Sequence, residues 1–283
     1  MKAKTWTLVF CLVLAFGVLS LFSAHTVRAA AIELAYANFF PPTHIQAKLG
    51  DAWAKEIEKR TNGKVKITYY PGGALLKGPK IYDGILTGIT DIGMSVFAYS
   101  RGVFPSMEAM DLPMAYANGG VATFTINDFY NKFKPKELSK VKVMYLHAHG
   151  PGLLHSKKAV NRLEDLKGLK VRCTGLSAKV VEALGGVAVA MGQGGAYEAL
   201  QKGVVDATFS PVEVLKGWKQ GEVIRYTTEC YSVGYTSGFY VAMNLDKWNS
   251  LPKDVQKIIE EVNKEWILKH GEAWDSSDDE GRK

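Results

Sequence analysis

The chain has 283 residues, 47% of them apolar and 22% charged, which excludes the fibrous, disordered and disulfide-dense classes and leaves room for two modest cores. The formal charge is +7; Lys2, Lys4 and Arg28 lie in the first 31 residues with no acid among them, so residues 32–283 carry +4. That excess is mild and no Lys/Arg cluster interleaves with aromatics, which excludes nucleic acid as a partner and suits small anions.

The chain opens with Lys2 and Lys4, an apolar run from Leu8 to Phe22, and the small residues Ala29-Ala30-Ala31. This is the three-part layout of a secretory signal peptide, so residues 1–31 are expected to be removed on export to the periplasm. The run is short for a bilayer span. Cys11 lies inside it behind bulky Phe10, which excludes a lipid-attachment box. Two cysteines remain, Cys173 and Cys230. They either bridge in an oxidising compartment or stand as separate buried thiols; spacing does not decide.

From Ile32 onward strand and helix patterns alternate. Ile32–Ala37 reads as a strand. His44–Arg60 reads as a helix, with Ile45, Leu49, Trp53 and Ile57 on one face, ended by Asn62-Gly63. Val65–Tyr70 alternates as a strand up to Pro71-Gly72-Gly73. A helix over Pro79–Leu86 follows, then strands near Ile92–Val96 and Val141–His147. In the second half, Leu163–Leu166 is a helical turn and Leu169–Cys173 a strand. Ser177–Leu184 is a helix closed by Gly185-Gly186. Val187–Met191 is a strand, Ala196–Lys202 a helix, Val204–Phe209 a strand, and Pro211 opens a helix capped by Ser210. Thr227–Gly234 and Phe239–Met243 read as long strands linking two lobes. Asp254–His270 is a long amphipathic helix with Val255, Ile258, Ile259, Val262 and Trp266 on one face. Residues 271–283 read as a polar tail, frayed from Asp275 to Lys283. The rhythm predicts an α/β protein with mixed, largely parallel sheets.

The segments LEDLKGLKVRCTG, EALGGVAVAM and YEALQKGVVDATFSP follow in order across Leu163–Pro211. With LAYAN, GKVKITYYPGGAL, DGILTGITDIGMS and YVAMNLDKWNSLPKDVQKII, they make the chain resemble the extracytoplasmic solute receptors of tripartite ATP-independent periplasmic (TRAP) transporters, over about residues 32 to 270. The resemblance implies the two-lobed periplasmic binding protein fold, with hinge strands and a long linking helix. Lobe I is expected over 32–149 plus 238–270 and lobe II over 150–237. It implies a monomer that closes on a small carboxylate and hands it to the small and large membrane subunits of a TRAP transporter, with no cofactor and no enzymatic activity. Family members usually run some tens of residues past the long helix, so a chain ending at Lys283 is expected to be truncated relative to them.

The resemblance also marks site residues. An arginine at the position of Arg172 makes a two-pronged salt bridge with the ligand carboxylate. The planar guanidinium presents the parallel donors that this requires. Read alone, Arg172 is as well explained by a surface pair with Glu164 or Asp165. Ser210 stands where relatives often carry asparagine and is expected to contact the ligand, to cap a helix, or both. Asn38 ends the first strand and is expected to reach the ligand from lobe I, with Phe39, Phe40 and His44 walling the cleft. Gln193 replaces an aromatic of many relatives. Gly152 replaces a second arginine of some, which leaves room for a bulkier ligand. Tyr99, Tyr197, Trp218, Tyr235 and Phe239 either stack on an apolar or aromatic acid or pack in the core. His147, His149 and His155 have no Cys or carboxylate at matching spacing to complete a metal site and are read as loop or cleft-lining residues. No GxSxG, HExxH or phosphate-binding loop is present. A ligand-sensing subunit, or an exported enzyme using the same cleft, are the competing readings.

Overall fold

The structure, a computed structural model, describes residues 30–283. The signal-peptide reading concerns residues outside this range, apart from its last two. Residues from Ile32 form one unit around two five-stranded sheets. Among the described residues no helix is long and apolar enough to cross a membrane.

The first sheet has the order β2 (Val65–Tyr70), β1 (Ile32–Asn38), β3 (Ile92–Val96), β10 (Gly238–Asn244), β4 (Val141–Ala148). The second has the order β7 (Val187–Ala190), β6 (Lys170–Cys173), β8 (Ala207–Ser210), β5 (Leu153–Ser156), β9 (Tyr226–Thr228). In each sheet three consecutive strands are parallel, and the remaining two pairings are antiparallel. The sheets are therefore mixed, with parallel pairing in half of the contacts rather than in most. We call the parts built on the two sheets lobe I and lobe II.

Among the described residues three helices exceed seven residues: α1 (Ile45–Arg60), α2 (Gly119–Phe133) and α3 (Lys253–Arg282). The buried face of α1 runs through Gln46, Ala47, Gly50, Trp53 and Ile57. Ile45, expected on that face, is instead exposed, because the His44 imidazole caps the helix by accepting the Gln46 N–H and turns Gln46 inward. The helix α2 went unread because its sequence opens with two glycines and is rich in β-branched residues. Its start is held from outside: Asn118 Oδ1 accepts the Val121 N–H, and Asp275 Oδ1 accepts those of Gly119 and Gly120.

The stretch 271–283 is not a frayed tail, because α3 continues to Arg282. Trp266, His270 and Trp274 recur every four residues and are all buried. Trp266 donates to the Leu49 carbonyl, and Trp274 to His147 Nδ1 at 3.0 Å. Asp275 then bonds lobe I as above, and one turn later Asp278 Oδ1 accepts the Glu213 N–H of lobe II at 2.9 Å. Lys216–Glu280 and Arg282–Glu229 add ion pairs to lobe II. Gly281 permits this approach, since a Cβ there would lie 2.4 Å from the Val212 carbonyl oxygen.

The expected long strand over Thr227–Gly234 is also absent. Only Tyr226–Thr228 pairs, and Tyr231–Val233 closes a 3-10 turn in which Gly234 N–H bonds back to Tyr231. The two sheets are connected by the paired segments 149–152 and 234–237. Gly152 N–H donates to the Tyr235 carbonyl at 2.7 Å, and the Thr236 hydroxyl donates to the His149 carbonyl. Cys173 and Cys230 are separate thiols.

Candidate functional site

The carboxyl ends of the parallel strands of both sheets converge on one cavity of about 40 Å³. From lobe II, β6 presents Arg172, β8 ends in Ser210, and the turn after β7 carries Gln193. From lobe I, Phe39 follows β1 and Tyr99 follows β3. Trp218 and Tyr235 also line it. Of the residues expected to touch the ligand, Arg172, Ser210, Gln193, Phe39, Tyr99, Trp218 and Tyr235 therefore meet in one place. A larger groove of about 700 Å³ shares Phe39, Tyr99, Gln193 and Trp218 with it.

Asn38 is the exception. Its Nδ2 donates to the Tyr69 hydroxyl at 2.7 Å, its Oδ1 accepts the Phe40 N–H at 2.9 Å, and it lines neither cavity. Tyr69 in turn donates to the Ala47 carbonyl. Asn38 thus acts on the site indirectly, by fixing the turn that carries Phe39 and Phe40.

Arg172 is 3% exposed. Its Nε and Nη2 donate to the Met191 carbonyl at 3.1 and 3.0 Å, and its Nη1 donates to Ser210 Oγ at 3.0 Å. Three of its five N–H groups are so used and two remain. Among the described residues no carboxylate lies within salt-bridge distance of it, neither Glu164 nor Asp165, which pair with Arg162 instead. Glu213 also lines the cavity, but its carboxylate pairs with His44 at 2.9 Å across the lobes. Ser210 lies in β8 rather than at a helix start, and its hydroxyl bonds Arg172 and Thr208. The cap reading of Ser210 therefore fails, and the serine holds the guanidinium.

The walls are aromatic. Phe39 stacks against Phe40, Trp218 and Phe239, with ring centroids 4.4, 6.2 and 6.4 Å away. Trp274 closes the back; sequence reasoning missed it, although the four-residue spacing from Trp266 and His270 was the signal for it. Tyr99 spans the lobes by accepting the Gln193 N–H at 2.8 Å. Tyr235 lies over Gly152, where a Cβ would sit 2.1 Å from its ring, so the room expected beside Gly152 is already filled by a phenol. Tyr197 is no part of the site, since it points to Glu222.

Burial decides the charge states. It lowers His149, which lines the cavity, to about 4, with the Arg172 charge adding to the effect against the pull of the Gly150 carbonyl. Burial raises the phenols of Tyr99 and Tyr235, which the Arg172 charge only partly offsets. At neutral pH the imidazole and both phenols are uncharged, and Arg172 stands as a cation beside them. His147 and His155 lie outside the cavity lining. His147 stacks between Phe239 and His270, and His155 bonds Thr227 and the Ser210 carbonyl in lobe II. No group of three or more metal-capable side chains comes together among the described residues.

Residues 36–283 match the DctP family, described as bacterial extracellular solute-binding protein, family 7. The chain belongs to this family. A TRAP periplasmic solute-binding protein of Desulfovibrio salexigens is 38% identical with a TM-score of 0.77, over 89% of this chain and 79% of that one. One from Bordetella bronchiseptica, with (R)- and (S)-mandelate bound, is 30% identical with a TM-score of 0.83, over 89% and 81%. A monocarboxylate 2-oxoacid-binding periplasmic protein of Nostoc is 30% identical over 72% of this chain, and the match spans 58% of that relative's length. The two solved TRAP periplasmic solute-binding proteins share the two-lobed α/β fold with this chain.

Proposed function

We propose that this chain is a periplasmic TRAP receptor that takes one small monocarboxylate into the cavity between its lobes, with Arg172 holding the carboxylate. The observation that carries this reading is a guanidinium 3% exposed, with two N–H groups unused and no acid paired to it. A buried cation is costly until an anion neutralises it, and a carboxylate matches its fork. One cation and an aromatic wall favour one carboxylate on a flat or apolar body over a dicarboxylate. The mandelate bound by the Bordetella relative has that chemistry.

In this reading Ser210 and the Met191 carbonyl fix the guanidinium, while Phe39, Tyr99, Gln193, Trp218 and Tyr235 surround the ligand body. Lobe I comprises 32–149 and 238–270, lobe II 150–237, and the lobes close about the segments 149–152 and 234–237. Phe39 and Tyr99 meet the ligand from lobe I in place of Asn38. The chain works as a monomer without a cofactor, exported by a cleaved leader, and delivers its acid to the small and large membrane subunits.

The test is a thermal-shift panel of mono- and dicarboxylates with the corresponding amides. A monocarboxylate at 100 times its Kd stabilises by about 2.7 kcal/mol, a rise of roughly 5–10 °C for a chain of this size. The amides should give none. A folded, ligand-free protein that no acid stabilises would refute the reading.

A further inference from the structure

Three side chains lining the Arg172 cavity carry a buried polar atom without a partner; Ser237 Oγ lies beside the Asp111 carboxyl, and the other two, both donors, have nothing near them to bond. Trp218 Nε1 and Gln193 Nε2 are both sealed from solvent and without a partner, and both residues line the cavity. Gln193 is 8% exposed, and its backbone N–H is already committed to the Tyr99 hydroxyl. The indole N–H can only donate, so it can be satisfied only by an acceptor brought into the cavity. Burying such a group without a partner is unfavourable.

In the proposed pose the carboxylate faces the two free N–H groups of Arg172, which belongs to β6 and is held there by Met191 and Ser210. Trp218 is placed by a different element, the short helix Val214–Gly217, and its ring stacks with Phe39 of lobe I rather than with the arginine. The guanidinium and the two donors are thus carried by different elements of lobe II.

We infer that the cavity holds a second polar subsite, formed by Trp218 Nε1 and Gln193 Nε2, that reads an acceptor oxygen on the ligand body. The ligand is then an oxygen-substituted monocarboxylate, a hydroxy or oxo acid, rather than a plain one. This rests on the proposed role of Arg172, and it adds selection for the oxygen to selection for the acid. A site built to bond an oxygen discriminates strongly against the analogue lacking it, because its buried donors are then left unpaired.

The experiment is isothermal titration of the unmodified protein with acids paired to differ by one oxygen: propionate and lactate, phenylacetate and mandelate, benzoate and 3-hydroxybenzoate. The oxygenated member should bind at least about 10-fold tighter in a pair that the cavity accepts. In Trp218→Phe, and separately in Gln193→Leu, that ratio should fall toward one, whatever the absolute affinities become. Equal binding within every pair that binds would overturn the subsite and leave the Arg172 reading standing. A preference that survives both substitutions would place the oxygen elsewhere and overturn it too. Failure of all six acids to bind folded protein would remove the Arg172 reading and the subsite with it. The pair ratio in the unmodified protein decides the matter even if neither variant folds.

Discussion

Replacing Arg172 by methionine removes the charge and the fork while keeping an unbranched side chain of similar length. In the ligand-bound state the lost interaction is a desolvated, two-pronged ion pair. Truncating one partner of such a pair costs about 2–5 kcal/mol, which at 1.4 kcal/mol per tenfold is a loss of roughly 30- to 4,000-fold in affinity. Arg172→Lys separates charge from geometry. The ammonium cannot reproduce the contacts to Met191 and Ser210 together with a forked contact to a carboxylate. It should recover part of the loss, leaving affinity between that of the parent and that of the methionine variant. Titration calorimetry with the best acid of the thermal-shift panel reads all three proteins, with circular dichroism confirming the fold. An Arg172→Met protein that binds the acid within threefold of the parent would refute the assignment.

Asp111 is 1% exposed, and neither carboxyl oxygen has a well-formed hydrogen bond. Burial raises its pKa to about 8, against a partial offset from the Leu176 and Gly238 N–H groups and the Ser237 hydroxyl nearby. Between its ordinary 3.8 and about 8 the folded chain keeps a proton that the unfolded chain has released, so stability falls as pH rises. Asp111→Asn should flatten the melting curve against pH by up to about 1.4 kcal/mol per pH unit between pH 5 and 8; parallel curves would sink this account. Asp275→Ala removes the acceptor for two N–H groups at the start of α2 and should cost about 1 kcal/mol in urea unfolding; no change would mean water replaces it. Gly152→Ala drives a methyl into the Tyr235 ring and should destabilise by about 1–3 kcal/mol, read as a lower melting temperature of the ligand-free protein.

Strand positions were legible where the chain alternates or runs apolar between glycine and proline, as in β1, β2 and β3. Arg172 and Gln193 were legible because they sit in motifs whose order matches a family, and Phe39 followed from its place after the first strand. What failed depended on contacts far along the chain. The helix α2 owes its start to Asp275, 156 residues away. Asn38 looked like a ligand contact because nothing local reveals that Tyr69 occupies its amide. The polar end of α3 reads as solvent-facing because its acids are spent on backbone N–H groups, which leave no mark in a hydropathy pattern. Ser210 before Pro211 has the local signature of a cap, and only the position of Arg172 beside it shows otherwise.

The last turns of α3 bond lobe I through Asp275 and lobe II through Asp278, three residues apart on one stiff rod. Any swing of one lobe against the other must be absorbed within a single helical turn, or must strip the rod from one side. Residues 275–282 line no part of the Arg172 cavity, yet closure of the lobes as proposed would bear on their amide protons. Hydrogen exchange along this segment should slow on ligand binding, which makes the end of the helix a gauge of occupancy at a site it never touches.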